Sequence, residues 1–288
     1  MERVVTLVAP EKLDPDVVAK VVEALEAPRA ARLGSRATDI FVAHDDAAAV
    51  AAAALGGAAI DVIVQPVAGR QKRLLLSDMD STLIAQECID ELAGVIGAKD
   101  EVSAITARAM RGEIDFAGAL NARVALLKGT PAGAIDDLLG SVITLSPGAE
   151  VMTATLAARG VRTVLVSGGF MAFADAIAAR LQMAAAFANR LEVADGVLTG
   201  RVVPPILGAD AKRERLLAEC AALGIAPGEA VALGDGANDL AMIKAAGLGI
   251  AYRAKPAVAA AADASIAHTD LTTVLFALGV HEDEFVSP

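Results

Sequence analysis

Two aspartates stand two residues apart in the run Asp78-Met79-Asp80-Ser81-Thr82. An aspartate is ionised at neutral pH because its reference pKa is about 3.9, and its carboxylate can attack phosphorus to form an aspartyl phosphate. In an extended chain, side chains two residues apart face the same way, so Asp80 would lie near the leaving oxygen. We therefore predict that Asp78 is a nucleophile and that Asp80 serves as general acid and general base.

Groups suited to holding a phosphate occur beside this run and further along the chain. Thr82 and Ser167 offer hydroxyl donors, and the backbone of Gly168 and Gly169 can approach a phosphate closely because neither residue has a side chain. Lys212 is the candidate for a positive charge on the transferring phosphoryl group. Taken singly, these features are more common in turns and on exposed helices, so the prediction depends on their occurring together.

The approach of a carboxylate to a phosphate dianion requires a cation that offsets their repulsion. Mg²⁺ binds oxygen ligands in an octahedral shell and usually retains several waters. Asp235, in the run Gly234-Asp235-Gly236-Ala237-Asn238-Asp239, offers a second carboxylate in addition to that of Asp78. We therefore predict a Mg²⁺ site formed by Asp78, Asp235 and the backbone carbonyl of Asp80.

Short apolar runs recur along the chain, and each has the character of a strand that is buried on both faces. The runs are Arg73–Ser77, Val161–Val166, Ala230–Leu233 and Leu248–Tyr252. Helical patterns separate them, which predicts an α/β fold with a doubly wound parallel sheet. Ligands of such sheets bind beyond the carboxyl ends of the strands, and three of the four runs end at a polar motif.

The interval between the first two runs is too long for a single crossover. Residues 85–145 fill it with helical patterns that we place at Glu87–Ile96, at Glu101–Met110, from Asp115 to Lys128, and after Thr130-Pro131. A helical insertion here would act as a cap over the strand ends. Near residues 187–203, the pair Asp195-Gly196 predicts the turn of a β-hairpin.

Residues 1–71 form a βα segment without a cluster of catalytic residue types. Strand-like runs lie at Val4–Val8, Ile40–Ala43 and Ile60–Val64, and helices are predicted after Asp14 and after Asp45-Asp46. The polar and basic stretch 69–73 is suited to a linker. We therefore predict two domains, residues 1–71 and residues 72–288, with the helical cap inside the second.

Composition narrows the classes of function. A net charge of −11 and an aromatic content of 3% argue against nucleic-acid binding, which needs a basic face or stacking rings. Cys88 and Cys220 lack CxxC spacing, so neither a disulfide framework nor a zinc motif is predicted. No stretch resembles the roughly 20 strongly apolar residues of a membrane span, and we expect a soluble cytoplasmic protein with a small-molecule substrate.

The motifs together resemble those of phosphatases in the haloacid dehalogenase superfamily, and more closely those of the phosphoserine phosphatase family. The resemblance covers roughly residues 72–280, and the matching strings are Asp78–Leu83, Glu87–Glu91, Val166–Phe170, Phe187–Leu191, Gly234–Asp239 and Ala254–Pro256. It implies a Rossmann-like core with an inserted helical cap, Mg²⁺ as cofactor, and hydrolysis of O-phospho-L-serine in serine biosynthesis. Longer members carry ACT-type regulatory domains, so residues 1–71 are expected to be a degenerate ACT-like module.

The resemblance also implies a role for each matching site residue. Asp78 would be the nucleophile and Asp80 the acid and base, and both would hold Mg²⁺ together with Asp235. Asp239 would support the metal and the lysine. The phosphate would be contacted by Ser167, Gly168, Lys212 and Asn238.

A phosphorylated α-amino acid carries an ammonium and a carboxylate on the same carbon. By the same resemblance, Glu87 would bind the ammonium, and Arg123 would bind the carboxylate through its planar fork of donors. Two further arginines in the predicted cap, Arg108 and Arg111, could compete for this role. Pocket-lining positions of the family correspond to Met110 and Phe116.

Other interpretations stay open at this point. A related phosphatase or phosphotransferase could use another small metabolite or pass the phosphoryl group to homoserine, because these motifs do not bind the acceptor. A regulatory amino-acid-binding protein could keep the fold without catalysis, although the intact Asp78, Asp80 and Asp235 argue against it. A dinucleotide-dependent oxidoreductase is disfavoured because no GxGxxG motif follows the first strand. A homodimer is among the oligomeric states that the sequence allows.

Overall fold

The computed structural model describes residues 1–111 and 113–287, except for the side chains of Met110 and Ala209. Its amino-terminal elements are β1 (Arg3–Val8), α1 (Pro15–Ala24), β2 (Arg29–Arg32), β3 (Ala37–Val42), α2 (Ala47–Leu55) and β4 (Asp61–Pro66). They form an antiparallel sheet in the order β2-β3-β1-β4, the arrangement of a ferredoxin-like βαββαβ unit. This topology is compatible with an ACT-like module, which stays a prediction.

The amino-terminal strands and helices that the sequence predicts are present, and one strand is added to them. Asp14 caps α1 as predicted, and its carboxylate accepts a hydrogen bond from the Asp16 backbone N–H at 2.9 Å. The additional strand, β2, has the sequence Arg29-Ala30-Ala31-Arg32, and all four residues are exposed. It escaped prediction because a strand on the sheet edge lacks the apolar alternation of a half-buried one.

The second sheet carries the polar motifs. The elements of this part of the chain are β5 (Leu74–Ser77), α3 (Cys88–Val95), α4 (Lys99–Met110), α5 (Phe116–Leu126), α6 (Ala134–Ser141), α7 (Ala149–Ala158), β6 (Arg162–Phe170), α8 (Met171–Arg180), β7 (Ala185–Ala194), β8 (Val197–Val203), α9 (Ala209–Leu223), β9 (Ala230–Gly234), α10 (Leu240–Ala245), β10 (Leu248–Tyr252), α11 (Pro256–Ala259), β11 (Ala264–Ile266) and α12 (Thr273–Ala277). The strand order is β11-β10-β9-β5-β6-β7-β8, and every neighbouring pair is parallel except β7 with β8. The predicted doubly wound parallel sheet is confirmed, with β5 at its centre.

Aliphatic side chains cover both faces of this sheet. Leu75 packs on one side into a cluster that includes residues of the cap and of α12, and Leu74 and Leu76 pack on the other side against α9 and α10. All four residues of β5 are buried, which explains why its sequence is a continuous apolar run. Within the described ranges, no helix has both the length and the apolar character needed to cross a membrane.

Helices α3 to α6 form the predicted insertion, but the fourth helix begins later than expected. Thr130-Pro131 does not open α6, since the Thr130 carbonyl accepts from the Leu198 N–H and the Ala132 N–H donates to the Gly196 carbonyl. This stretch therefore pairs with the hairpin of β7 and β8, which turns at Asp195-Gly196 as predicted. The helix starts only after Gly133.

The stretch 69–73, for which a linker is predicted, contains a residue that joins the first sheet to helix α12. The Arg70 guanidinium donates to the Asp39 carboxylate of β3 and to the carbonyls of Phe276 and Ala277 in α12. Only 12% of the Arg70 side chain is exposed. Arg70 is therefore part of a packed contact rather than of a free linker, while the division at residue 71 stays a prediction.

Candidate active site

Asp78 follows the central strand β5, where burial and hydrogen bonding restrict its carboxylate. Its backbone N–H donates to the Leu233 carbonyl of β9 at 2.9 Å, and its Oδ1 accepts from the Met79 N–H at 2.7 Å. Only 5% of the residue is exposed. The predicted nucleophile is thus a fixed, buried carboxylate at the carboxyl end of the sheet, where ligands of such sheets bind.

Lys212 projects from α9 and lies between two of the predicted site residues. Its Nζ is 2.6 Å from Asp78 Oδ2 and 2.6 Å from Asp239 Oδ1. Burial opposes the charge of the ammonium, but the two carboxylates outweigh this effect and raise the pKa of Lys212. Lys212 therefore stays protonated, holds the Asp78 carboxylate in place and presents positive charge beside it, where the prediction places a phosphoryl group.

Three carboxylates gather here, and in the described part of the chain a single ammonium faces them. Oxygens of Asp78, Asp235 and Asp239 all lie within 4.8 Å of one another. Thr82 Oγ1 donates to Asp235 Oδ1 at 3.0 Å, and burial together with the nearby Asp239 raises the pKa of Asp235 to about 6. Burial also raises the pKa of Asp78, although Lys212 opposes the shift. An oxygen-rich group with this excess of negative charge fits a hard divalent cation such as Mg²⁺.

The Asp80 side chain stays outside this group because it turns toward the cap. Its Oδ1 accepts a hydrogen bond from the Cys88 backbone N–H, at the start of α3, at 3.1 Å. Burial, with the negative charge of Glu87 nearby, raises the pKa of Asp80 to about 7. Such a pKa suits a group that must both give and take a proton at neutral pH. Any contribution of Asp80 to the metal site would therefore come from its backbone carbonyl.

The end of β6 leaves no room for side chains beside these carboxylates. A Cβ atom at Gly169 would lie 2.7 Å from Asp80 Oδ2 and 3.1 Å from Ser167 Oγ. The Gly169 N–H donates to Ser167 Oγ at 2.8 Å, which leaves the hydroxyl proton of this buried serine to donate elsewhere. A Cβ at Gly168 would lie 3.1 Å from the ring of Phe116 on α5, so a cap residue closes over this segment.

Asn189 has a structural role that sequence reasoning did not assign, although it lies in the matching string Phe187–Leu191. Its Nδ2 donates to the Gly168 carbonyl at 2.8 Å, and its Oδ1 accepts from the Leu207 N–H at 2.7 Å. Only 1% of Asn189 is exposed. It therefore ties the predicted phosphate-binding segment of β6 to the chain that enters α9, the helix that carries Lys212.

Glu87 and Arg123 lie on the cap side of the carboxylates. Glu87 Oε1 accepts from Ser81 Oγ at 2.7 Å, and Arg123 donates to Thr106 Oγ1 at 3.4 Å. Burial lowers the pKa of Arg123, while the charges of Asp90, Glu87 and Asp80 oppose this shift. Arg123 is therefore close enough to Glu87 and Asp80 to interact with their charges. This proximity is compatible with the prediction that Glu87 and Arg123 bind the two ends of one small zwitterion.

The other cap arginines are engaged elsewhere. Arg108 and Arg111 form exposed ion pairs with Glu113, at 3.4 Å and 2.6 Å. Asn238 lies in the turn between Asp235 and Asp239, as its place in the motif requires. The side chain of Met110 lies outside the described part of the structure, so its predicted contact with the pocket stays a prediction.

Two contributors to the site, Ser81 and Thr106, were not found from the sequence. Ser81 has φ +54°, a left-handed conformation that is uncommon for a residue with a side chain and recurs at functional sites. This conformation lets Ser81 bond both Glu87 through its hydroxyl and the Gln86 carbonyl through its N–H. The side-chain type carries no signal for this backbone geometry, and Thr106 gives no signal because it meets Arg123 only through helix packing.

Comparisons with known proteins place these motifs in context. A family model of haloacid dehalogenase-like hydrolases matches residues 75–244. Phosphoserine phosphatase SerB2 of Mycobacterium tuberculosis is 47% identical to this chain over 78% of the chain and 55% of its own length. A phosphoserine phosphatase of Idiomarina loihiensis is 47% identical over 75% of this chain and 96% of its own length. The chain spans 55% and 58% of the length of the first two curated relatives that it matches.

Solved structures extend the similarity to the fold. A haloacid dehalogenase family hydrolase of Salmonella enterica serovar Typhi has a TM-score of 0.86 and 32% identity, and the match covers 99% of each chain. Both sheets are therefore shared with that protein. A substrate-bound phosphoserine phosphatase complex has a TM-score of 0.67 and 42% identity, covering 72% of this chain and 98% of its own.

Proposed function

Because the chain belongs to the haloacid dehalogenase-like hydrolase family, we propose that it is a Mg²⁺-dependent phosphatase that converts O-phospho-L-serine to L-serine and phosphate. The observation that carries this proposal is the arrangement around Asp78. Its buried carboxylate lies 2.6 Å from Lys212 and within 4.8 Å of two further carboxylates, and a potential proton donor, Asp80, follows two residues later. The amino-acid substrate is supported by Glu87 and Arg123 and by the names of the relatives.

The proposed reaction proceeds in two displacements at phosphorus. The Asp78 carboxylate attacks the phosphorus atom, the bond to the serine oxygen breaks, and Asp80 donates a proton to that oxygen as L-serine leaves. Asp80, now a carboxylate, takes a proton from a water that attacks the aspartyl phosphate. The bond between phosphorus and the Asp78 oxygen then breaks, which restores the Asp78 carboxylate and releases phosphate.

The charges of the site support each of these steps. Lys212 stabilises the anionic form of Asp78 and the negative charge of the phosphoryl group, and the Ser167 hydroxyl can donate to a phosphate oxygen. We propose that Mg²⁺ is held by Asp78, Asp235 and the Asp80 carbonyl. When bound, it neutralises charge between the nucleophile and the phosphate.

Phosphate release from L-phosphoserine, with and without Mg²⁺, tests the proposed reaction. We expect turnover with Mg²⁺ and none after chelation. A parallel reaction with added homoserine tests the transferase alternative, in which phosphohomoserine would form in place of free phosphate. Absence of phosphate release from L-phosphoserine, with activity on other phosphomonoesters, would show that the substrate assignment is wrong.

Substitutions at Glu87 and Arg123 test the selection of an amino acid. Charge-assisted hydrogen bonds contribute about 1.5–3 kcal/mol each, so Arg123→Ala and Glu87→Gln should each lower kcat/KM for L-phosphoserine by about 10–150-fold. Neither residue should touch phosphorus, so p-nitrophenyl phosphate serves as the control substrate and should be affected much less. Equal losses on the two substrates would mean that both residues serve the fold or the closed cap.

We also propose a place for the reaction in the cell and in the chain. The described cysteines, Cys88 and Cys220, are buried free thiols, which is compatible with the reducing cytoplasm, where serine is made. All proposed catalytic groups belong to residues 72–288, so residues 1–71 would not take part in the chemistry. Measurement of the molecular mass in solution, for the whole chain and for a chain without the first sheet, tests whether that sheet forms a homodimer.

A further inference from the structure

The first turn of α3 lacks the usual side-chain cap. A helix leaves its first backbone N–H groups without partners inside the helix, and a side chain at the preceding residue commonly accepts one of them. Glu87 holds that preceding position but makes no capping hydrogen bond, because its carboxylate accepts from Ser81 instead. The N–H of Cys88, the first residue of α3, donates to Asp80 Oδ1 at 3.1 Å. The side chain that caps this helix is therefore that of Asp80.

The same contact settles which way the Asp80 carboxylate faces. Oδ1 is held by the Cys88 amide, while Oδ2 lies toward the end of β6, where a Cβ at Gly169 would be 2.7 Å away. Cys88 itself is only 1% exposed, and the Gln86 carbonyl just before it accepts from the Ser81 N–H. The start of α3 is thus fixed against the loop that carries Asp80, and one carboxylate oxygen stays available on the side of the phosphate-binding segment.

We propose that the backbone amide of Cys88 is a positioning group for Asp80, which it orients so that the free carboxyl oxygen meets the leaving oxygen of the substrate. This inference rests on the proposed role of Asp80 as acid and base. Since α3 is the first helix of the cap, the amide also ties the placement of the proton donor to the placement of the cap. The Cys88 thiol also hydrogen-bonds the Asp80 carboxylate, so the contribution of the amide has to be separated from that of the thiol.

Cys88→Pro removes the amide N–H and is matched by Cys88→Ala, which keeps it. Proline is favoured at the first position of a helix, where its ring suits the backbone and its missing donor is not part of the helix ladder. Glu87 has φ −97° and ψ 107°, an extended conformation that tolerates a following proline. Both variants lose the thiol, so a difference between them reports on the amide.

The measurement is kcat/KM for phenyl phosphate and p-nitrophenyl phosphate in the presence of Mg²⁺. Phenolate is the more basic leaving group and depends more on a proton from Asp80. We expect Cys88→Pro to lower the ratio of kcat/KM for phenyl phosphate to that for p-nitrophenyl phosphate by about tenfold or more, part of the roughly 10²–10⁴-fold that a general acid supplies. Cys88→Ala should lower the ratio much less than Cys88→Pro does, because it removes only the thiol contact with Asp80 and keeps the amide.

An unchanged ratio in Cys88→Pro, or an equal fall of the ratio in both variants, would overturn the proposal. If the proline variant does not fold, the rate of hydrogen exchange at the Cys88 amide tests whether Asp80 binds this amide. Exchange should be at least about tenfold faster in Asp80→Ala than in the wild type, and equal protection would show that Asp80 does not bind this amide. Neither aryl phosphate carries an amino-acid end, so failure of L-phosphoserine as a substrate would leave this test intact.

Discussion

Buried carboxylates lie in two regions of this protein, one where the first sheet packs against the rest of the chain and one at the carboxyl end of β5. Where the sheets meet, Asp61 accepts from the backbone N–H groups of Ala267, His268 and Thr269 and from the Thr269 hydroxyl. Asp39, in the same region, is paired with Arg70. Groups of the protein itself therefore satisfy the hydrogen-bonding capacity of both carboxylates, as buried structural residues require.

At the end of β5, by contrast, three carboxylates lie close together, and one ammonium of the described residues pairs with two of them. Asp78 and Asp239 are paired with Lys212, and Asp235 receives a hydrogen bond from the neutral Thr82 hydroxyl. The remaining negative charge has no partner among the described protein groups and would be balanced by a cation. Carboxylates that stabilise a fold have their hydrogen bonds completed by the protein. Carboxylates whose negative charge is left unbalanced are expected where a site binds a cation or carries out chemistry.

The largest effect should come from removing the charge of the nucleophile. Asp78→Asn should lower turnover by more than about 10⁴-fold, because an amide cannot form the acyl phosphate. It should not lower the unfolding temperature, since it relieves repulsion in a crowded carboxylate group while Lys212 keeps Asp239 as a partner. Phosphate release and thermal unfolding measure the two quantities. Radiolabel from substrate trapped on a serine, or normal turnover, would exclude Asp78 as nucleophile.

The opposite outcome is expected for Asp61→Ala. Three backbone N–H groups lose their acceptor, and one buried unsatisfied group alone costs about 1–3 kcal/mol, so the free energy of unfolding should fall by about 3 kcal/mol or more. Turnover per folded molecule should stay near the wild-type value, because Asp61 is outside the site. Denaturant unfolding and kcat test this separation. A large loss of kcat in the folded variant would mean that the contact between the sheets controls the active site.

Binding of Mg²⁺ to the carboxylates of Asp78, Asp235 and Asp239 should stabilise the folded protein. At a concentration of 100 times Kd, a ligand that binds only the folded state adds about 2.7 kcal/mol, and Tm should rise accordingly. Asp235→Asn should weaken the rise of Tm with Mg²⁺, whereas Asp61→Ala should keep it, since Asp61 lies outside this group of carboxylates. A Tm that does not respond to Mg²⁺ in the wild type would contradict the assignment of the cluster as a metal site.

The smallest effect on turnover is expected from removing residues 1–68. All proposed catalytic groups lie beyond Gly69, so a shortened chain that folds should keep its kcat at saturating substrate. Its stability should fall, because Arg70 loses Asp39 and the Phe276 side chain loses the apolar contacts of Val8 and Ala37. Circular dichroism establishes folding, and kcat is then compared with that of the whole chain. A folded but inactive chain would show that the first sheet takes part in catalysis.

Local patterns in the sequence were sufficient for much of the fold and for the choice of candidate residues. The apolar run Arg73–Ser77 predicted a buried strand, and Asp14 and Asp195-Gly196 predicted a helix cap and a turn, because these signals act over a few neighbouring residues. The spacing of Asp78 and Asp80 indicated phosphoryl chemistry for the same reason. Strands without such signals, such as β2, were missed.

The different contacts that these residues make were decided only by the tertiary structure. Chain segments that are distant in sequence meet at the end of β5, so that Lys212 contacts both Asp78 and Asp239 while Asp80 turns to the Cys88 amide. The late start of α6 and the bridging role of Arg70 likewise depend on partners far along the chain. Sequence patterns carry side-chain type and local spacing, whereas pairing between distant groups depends on where packing brings them together.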